Sequence, residues 1–217
     1  MILTINGSDR LACHDIHQQL FRLRYDVFVK QRRWTLPVKG TSEVDQYDND
    51  DAVYFYQIDD DGFITSHVRL TPSLTSSLLA DIFPHLVENP RDIRSASIYE
   101  GTRYFVQPRK KSRALNRAAK AELLLAVNEW ARDNGITHTQ VIIESYLFPS
   151  FLEMSSQVRP LGLSQPHGGG PGVDGGGESI AIRCPTNDQV IRDLRAYGEL
   201  KNGAPSYRSL MSELRVA

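Results

Sequence analysis

The sequence predicts an α/β sandwich of three layers, a mixed central sheet with helices packed on it, and three observations predict it. β-rich runs recur along the chain as "AVYFYQI", "FITSHVRL", "ASIYEGTRYFV", "HTQVIIES" and "ESIAIRC". Helical patterns lie around and between them, the longest being "RALNRAAKAELLLAVNEWARDNG". The order of helix, hairpin, strand, long helix, strand suits a mixed sheet covered by helices. With 217 residues the chain is long enough for one domain with a full core. Residues 1–200 are expected to form that domain, with 201–217 as a loosely attached tail.

Each element has its own signal. "MILTIN" reads as a first strand. From Leu11 to Lys30, Ile16, Leu20, Leu23 and Val27 recur at spacings of four, three and four, one apolar face of a helix, with Arg24 and Phe28 a turn apart on its flank. Residues 31–51 hold Pro37, Gly40 and many acids without a period, a long loop of the kind that is functional or disordered. "DDDG" joins two β-rich runs as a hairpin turn. Irregular helix is expected over 74–90 and a strong strand over 96–106. Ser112 is placed to cap the long helix and Gly135 to end it. After the strand at "HTQVIIES" come a short helix at "FPSFLEM", a strand at "VRPLGL", a mobile loop at "HGGGPGVDGGG", a strand at "ESIAIRC" and a capped helix at "TNDQVIRDLRAYGEL".

Composition narrows the function classes. The formal net charge of −1 gives no global field for a nucleic-acid backbone or an anionic membrane, so any polyanion site is local. No stretch approaches the roughly 18 apolar residues of a bilayer span, and the first residues carry no basic leader. A cytoplasmic protein without nucleic-acid or membrane partners is expected. Cys13 and Cys184, far apart in sequence, read as free thiols that form no metal cluster alone. No metal ligand set is expected.

The chemistry gathers around "YEGTRYFV". Strict alternation would place Glu100 and Arg103 on opposite faces, because three is an odd step. A glycine inside a strand often marks a bulge, and one near Gly101 would swing both charges to one side and leave backbone amides unpaired. The strand feeds a basic junction, Arg109, Lys110, Lys111 and Arg113, with free helix amides behind it, an arrangement acyltransferases use for pantetheine and its phosphates. A solvated basic turn explains the same residues. No glycine-rich phosphate loop follows the strand.

The run of Arg24, Phe28, Trp34, Glu43, Asp45, Asp48, Arg69, Glu100 and Arg103, carried in "FRLRYDVFVKQRRW", "EVDQYD", "HVRL" and "YEGTRYFV", resembles the acyl-homoserine-lactone synthases, the autoinducer synthases of bacterial quorum sensing. The resemblance covers about residues 1–165. It implies an N-acetyltransferase-like fold and an enzyme that makes an N-acyl-homoserine lactone from S-adenosylmethionine and an acyl thioester, releasing methylthioadenosine. Both are substrates, and no tightly bound cofactor is implied. Trp34 and Phe28 can offer ring faces to the sulfonium and adenine, and arginines can fork the carboxylate. Asp45 and Asp48 either attract the cationic groups or hold the arginines in a structural ion network. Attack requires a neutral amine, so a base is needed: Glu100 first, Glu43 second.

"ESYLFPSFLEM" followed by "RPLGL" resembles a branch that includes users of coenzyme A thioesters of branched or aromatic acids. Acyl-CoA is therefore favoured slightly over acyl carrier protein as donor. Tyr104, Val141, Ile143, Phe148, Ser150, Phe151 and Met154 are candidates for the acyl pocket, with core packing as the alternative. Bulky Phe148 and rigid Pro149 favour a short, branched or aryl acyl group. An N-acyltransferase acting on another amine, or a non-catalytic acyl-CoA-binding module, would share many of these features.

Overall fold

The computed structural model describes residues 2–109, 112–166, 177–201 and 206–214. In chain order the elements are β1 (Ile2–Asn6), α1 (His14–Arg24), β2 (Val38–Lys39), β3 (Ser42–Glu43), β4 (Val53–Ile58), β5 (Ile64–Pro72) and α2 (Leu78–Asp81). Then follow β6 (Ile98–Val106), α3 (Arg113–Asp133), β7 (His138–Glu144), α4 (Phe148–Met154), β8 (Arg159–Pro160), β9 (Gln165–Pro166), β10 (Glu178–Pro185), α5 (Asp188–Gly198), β11 (Tyr207–Ser209) and α6 (Leu210–Leu214). The main sheet runs β11-β1-β4-β5-β6-β7-β10-β8, with β9 also on β10. β1–β11 and β6–β7 are parallel, and the other neighbours are antiparallel.

Period-two alternation along β4 sorts the two cores. Tyr54 and Tyr56 enter a cluster with Leu20, Phe21, Val27, Phe28 and Phe105 under α1. Val53 and Phe55 turn the other way, onto Val68, Leu70, Leu123 and Ala126 under α3. Helices on both faces of a mixed sheet give the expected three layers. The side chains of Ser112 and Asn187 accept from Leu115 N and Val190 N, capping α3 and α5, and Gly135 follows α3 at φ +71°. Among the described residues no helix is long and apolar enough to cross a membrane.

Two expectations are corrected, the extents of the helix over 11–30 and of the strand after Gln157, and the bulge near Gly101 and the segment after residue 200 gain detail. The helix read over 11–30 is α-helical only over His14–Arg24, and Tyr25–Gln31 continues as π-helix. Wider turns rotate Phe28 inward, so Arg24 and Phe28 are both fully buried rather than paired on a flank. The bulge lies two residues beyond Gly101, which pairs in regular register with Leu70 and Val141. Arg103 and Tyr104 together oppose Val68, and Arg103 takes the left-handed conformation, φ +55°. The strand read at "VRPLGL" shrinks to Arg159–Pro160. Finally, the segment after residue 200 is docked in part: β11 pairs with β1, and Ser206 N donates to Glu129 at 2.8 Å. The glycine-rich loop over 167–176 and the basic pair Lys110 and Lys111 lie outside the described residues.

Candidate active site

The displaced bulge does what was asked of it. Glu100, Thr102, Arg103 and Phe105 are all buried, while Tyr99, Gly101 and Tyr104 turn toward the α3 face or its edge. Arg103 keeps its strained backbone because its guanidinium is held. Nε and Nη2 donate to Glu43 at 3.1 and 2.8 Å, and Nη2 also donates to Asp45 at 2.8 Å.

Those bonds belong to one buried ionic network. Arg24 Nε donates to Glu43 at 2.6 Å, and its Nη1 and Nη2 fork Asp48 at 2.7 and 3.0 Å. Arg69 forks Asp45 at 2.6 and 3.1 Å, lies 2.7 Å from Asp48, and donates from Nε to Thr102 at 3.0 Å. Tyr54 adds a phenol to Asp48 at 3.1 Å. Burial pushes the Asp48 carboxyl up, but Arg24 and Arg69 outweigh it and hold the group well below the ordinary range. Burial likewise lowers Arg24 and Arg69, but Asp48 together with Glu43 more than reverses this for Arg24, and Asp48 together with Asp45 for Arg69. Asp45 and Asp48 are thus arginine partners. Both oxygens of Glu43 are engaged by guanidiniums, the setting of a counter-ion rather than a free base. Arg103 is 8% exposed, and among the described residues no acceptor engages its Nη1.

Beside the network Phe28 and Trp34 stack, ring centroids 5.1 Å apart. Arg103 lies over Phe28 at 5.8 Å, and Arg32 lies over Phe28 and Trp34 at 5.2 and 5.5 Å. The pair therefore accepts cations on its faces. Arg32 carried no signal in the sequence that set it apart from neighbouring basic residues.

Glu100 is fully buried. Ser77 Oγ donates to it at 2.6 Å and Leu79 N at 2.9 Å. Burial raises its carboxyl to about 7, against the pull of those two bonds and Arg69. Thr71, its cross-strand partner, has a buried hydroxyl without a hydrogen-bond partner among the described residues, and opposed side chains on one face lie within reach of a bridging water. Ser77 comes from a stretch without periodicity and Thr71 from the end of β5, where nothing in the sequence marks it as the partner of Glu100, so only the fold reveals them.

β6 and β7 pair from Ile98–His138 to Gly101–Val141, where the ladder stops. β7 continues against β10 to Glu144, while β6 continues against β5 to Val106. The strands fork there, exposing one backbone edge of residues 102–106. Behind the fork lies a cavity of about 70 Å³ among β7, β10 and α3 to α5. Of the acyl-pocket candidates, Val141, Phe151 and Met154 line it. Tyr104 reaches its edge, with its ring 6.5 Å from Phe151. Ile143 and Phe148 pack instead with Val158, Ile180 and Ile182, and Ser150 Oγ is spent on Leu147 O at 2.8 Å. Bulky apolar side chains near the cleft were equally fit for core, and packing decided. At the basic junction Arg109 pairs with Asp61 and lies over Phe63, 5.0 Å from the ring, and Arg113 opens α3 exposed.

Comparison with known proteins agrees with this geometry. The autoinducer synthase family matches residues 8–163. An isovaleryl-homoserine lactone synthase of Bradyrhizobium diazoefficiens is 37% identical over 164 residues, covering 75% of this chain and 73% of the relative. The structure of a CoA-dependent acyl-homoserine lactone synthase, BjaI, with SAM and isopentyl-CoA, superposes with a TM-score of 0.81 at 30% identity, covering 96% of this chain and 92% of that one. An N-acetyltransferase of Lactobacillus plantarum shares the fold, with a TM-score of 0.51 at 16% identity over 86% of this chain and 98% of its own. The buried ionic network, the forked strand and these matches together show that the chain belongs to the autoinducer synthase family.

Proposed function

We propose that this protein joins S-adenosylmethionine to a short branched or aryl acyl-CoA, forms an N-acyl-homoserine lactone and releases methylthioadenosine. The observation that carries the reading is a buried carboxyl raised to about 7, on the same strand as the fork. A general base works best when its pKa lies near the operating pH. Glu100 takes the proton of the substrate ammonium, directly or through a water beside Thr71. The amine then attacks the thioester carbonyl, the C–S bond breaks, and coenzyme A leaves as the thiol. Free amides of residues 102–106 are suited to polarise that carbonyl. In the second step a carboxylate oxygen attacks the carbon bonded to the sulfonium, that C–S bond breaks, and methylthioadenosine departs. This step needs positioning more than charge.

Trp34, backed by the buried ring of Phe28, offers the sulfonium a face, and Arg103 Nη1 offers a donor to the substrate carboxylate. Arg24, Arg69, Glu43, Asp45 and Asp48 hold that surface rigid. Coenzyme A stands ahead of acyl carrier protein because a CoA-dependent synthase solved with isopentyl-CoA matches nearly the whole chain. Both substrates belong to the cytoplasm. The test is mass spectrometry of the purified chain incubated with S-adenosylmethionine and isovaleryl-CoA, or with the isovaleryl carrier protein. Acyl-homoserine lactone and methylthioadenosine are expected with the CoA donor. Product with the carrier protein alone overturns the donor assignment, and no product with either overturns the reading.

A further inference from the structure

The cavity behind the fork has mostly apolar walls, with Asn128, Thr139 and Ser155 as their polar members. Asn128, in the middle of α3, is 4% exposed and lines it. Its Nδ2 donates to Leu124 O at 2.8 Å. A carbonyl only accepts, so this bond fixes the orientation of the amide. Oδ1 is left buried without a partner among the described residues. Unpaired buried acceptors are rare in native proteins and mark a missing ligand group or water. Asparagine is also a poorer helix former than leucine or alanine, either of which suits an apolar wall.

Position gives the acceptor a meaning. Asn128 lines the same cavity as Val141, which pairs alongside Gly101 at the fork. Resting on the synthase reading above, we infer that the preferred acyl group carries a hydroxyl at its far end, which donates to Asn128 Oδ1. The substrate class is hydroxyaryl or terminally hydroxylated short-chain acyl-CoA.

The purified chain with S-adenosylmethionine is assayed on two matched pairs, 4-hydroxybenzoyl-CoA against benzoyl-CoA and 5-hydroxypentanoyl-CoA against pentanoyl-CoA, with isovaleryl-CoA as a separate donor. In at least one pair the hydroxylated member is expected to have the higher kcat/KM by about tenfold or more, because a lost hydroxyl leaves Oδ1 unpaired. Asn128→Leu should bring that ratio to one or below. Equal or lower rates for both hydroxylated donors in the unaltered protein, as a water-filled recess gives, overturn the inference while turnover of isovaleryl-CoA leaves the synthase reading standing. A ratio that survives Asn128→Leu also overturns it. Failure with every donor is failure of the synthase reading itself. The comparison within the unaltered protein needs no variant, so a misfolded Asn128→Leu does not decide the matter.

Discussion

At Glu100 the burial that raises the carboxyl, and that would suit it to the proposed proton transfer, also costs stability. Replacing Glu100 by Gln is expected to lower kcat/KM by about 10² to 10⁴ with the circular dichroism unchanged. In the unaltered enzyme kcat/KM should climb through an apparent pKa near 7 as the carboxylate ionises. In Glu100→Gln that limb should vanish, leaving the substrate amine's own rise near 7.7 to 8.0. A profile unchanged by the substitution would show that another group takes the proton. The folded pKa lies above the ordinary 4.5, so the folded state holds the proton longer than the unfolded chain does. Stability therefore falls as pH rises from about 4.5 to about 7, and is flat with respect to this group above. Denaturant titrations across that window should show a slope that Glu100→Gln removes. Trp34 sits at the same scale. Truncation to alanine removes one ring face and should weaken S-adenosylmethionine binding by a few-fold to about thirtyfold, the range of about 0.5 to 2 kcal/mol for such contacts. Unaltered affinity by calorimetry would deny the ring its part.

Two elements do most of the positioning, and each departs from ideal geometry. The π-helical run after α1 turns Phe28 into the core, where it can support Trp34 and meet Arg103. The bulge in β6 spends its extra residue on Arg103, so that a strand which would otherwise alternate presents Glu100, Thr102 and Arg103 on one side. Behind them α3 and α5 form the back wall of the cavity, at close approach: a Cβ on Gly198 would collide with Ala121 Cβ. The start of α5 rests on Asn187, whose side chain accepts from Val190 N at 3.0 Å. Replacing Asn187 with Ala should cost about 0.5 to 2 kcal/mol, read as a lower urea midpoint at unchanged slope. A midpoint shift below measurement error would mean that packing on α3 alone sets the helix end.

Across the whole molecule, the ionic network fastens the first helix and the following loop to the centre of the sheet. Removing one member of such a network leaves its partner charged and buried, a loss of about 3 to 5 kcal/mol. Asp48→Asn should destabilise the protein by that order, because Arg24 loses its forked carboxylate. The pH response has the opposite sign to that of Glu100. Asp48 titrates well below its unfolded value of about 3.9, so its contribution is full above about pH 4 and drains away as pH falls further. Acid titration of the Asn variant should be correspondingly flatter below pH 4, and an equally steep loss would place the acid sensitivity elsewhere. The strand runs, the long capped helix and the mixed sheet were legible in sequence because each rests on local periodicity and on neighbours a few residues away. The spacing of Arg24, Phe28, Trp34, Glu43, Asp45, Asp48, Arg69, Glu100 and Arg103 also pointed to the family. Contacts across sixty residues were not legible. Whether Glu43 is free or held depends on Arg103, whether Glu100 is raised depends on its burial against the pull of Ser77 and Leu79, and whether Val141 or Ile143, on one face of β7, borders the cavity depends on what packs beside each of them. The sequence by itself determined the layers, the caps and the set of chemical groups, through short-range pattern. Only the tertiary structure decided which charges neutralise one another and which atom is left unpaired, because burial and pairing belong to residues that meet only once the sheet has closed.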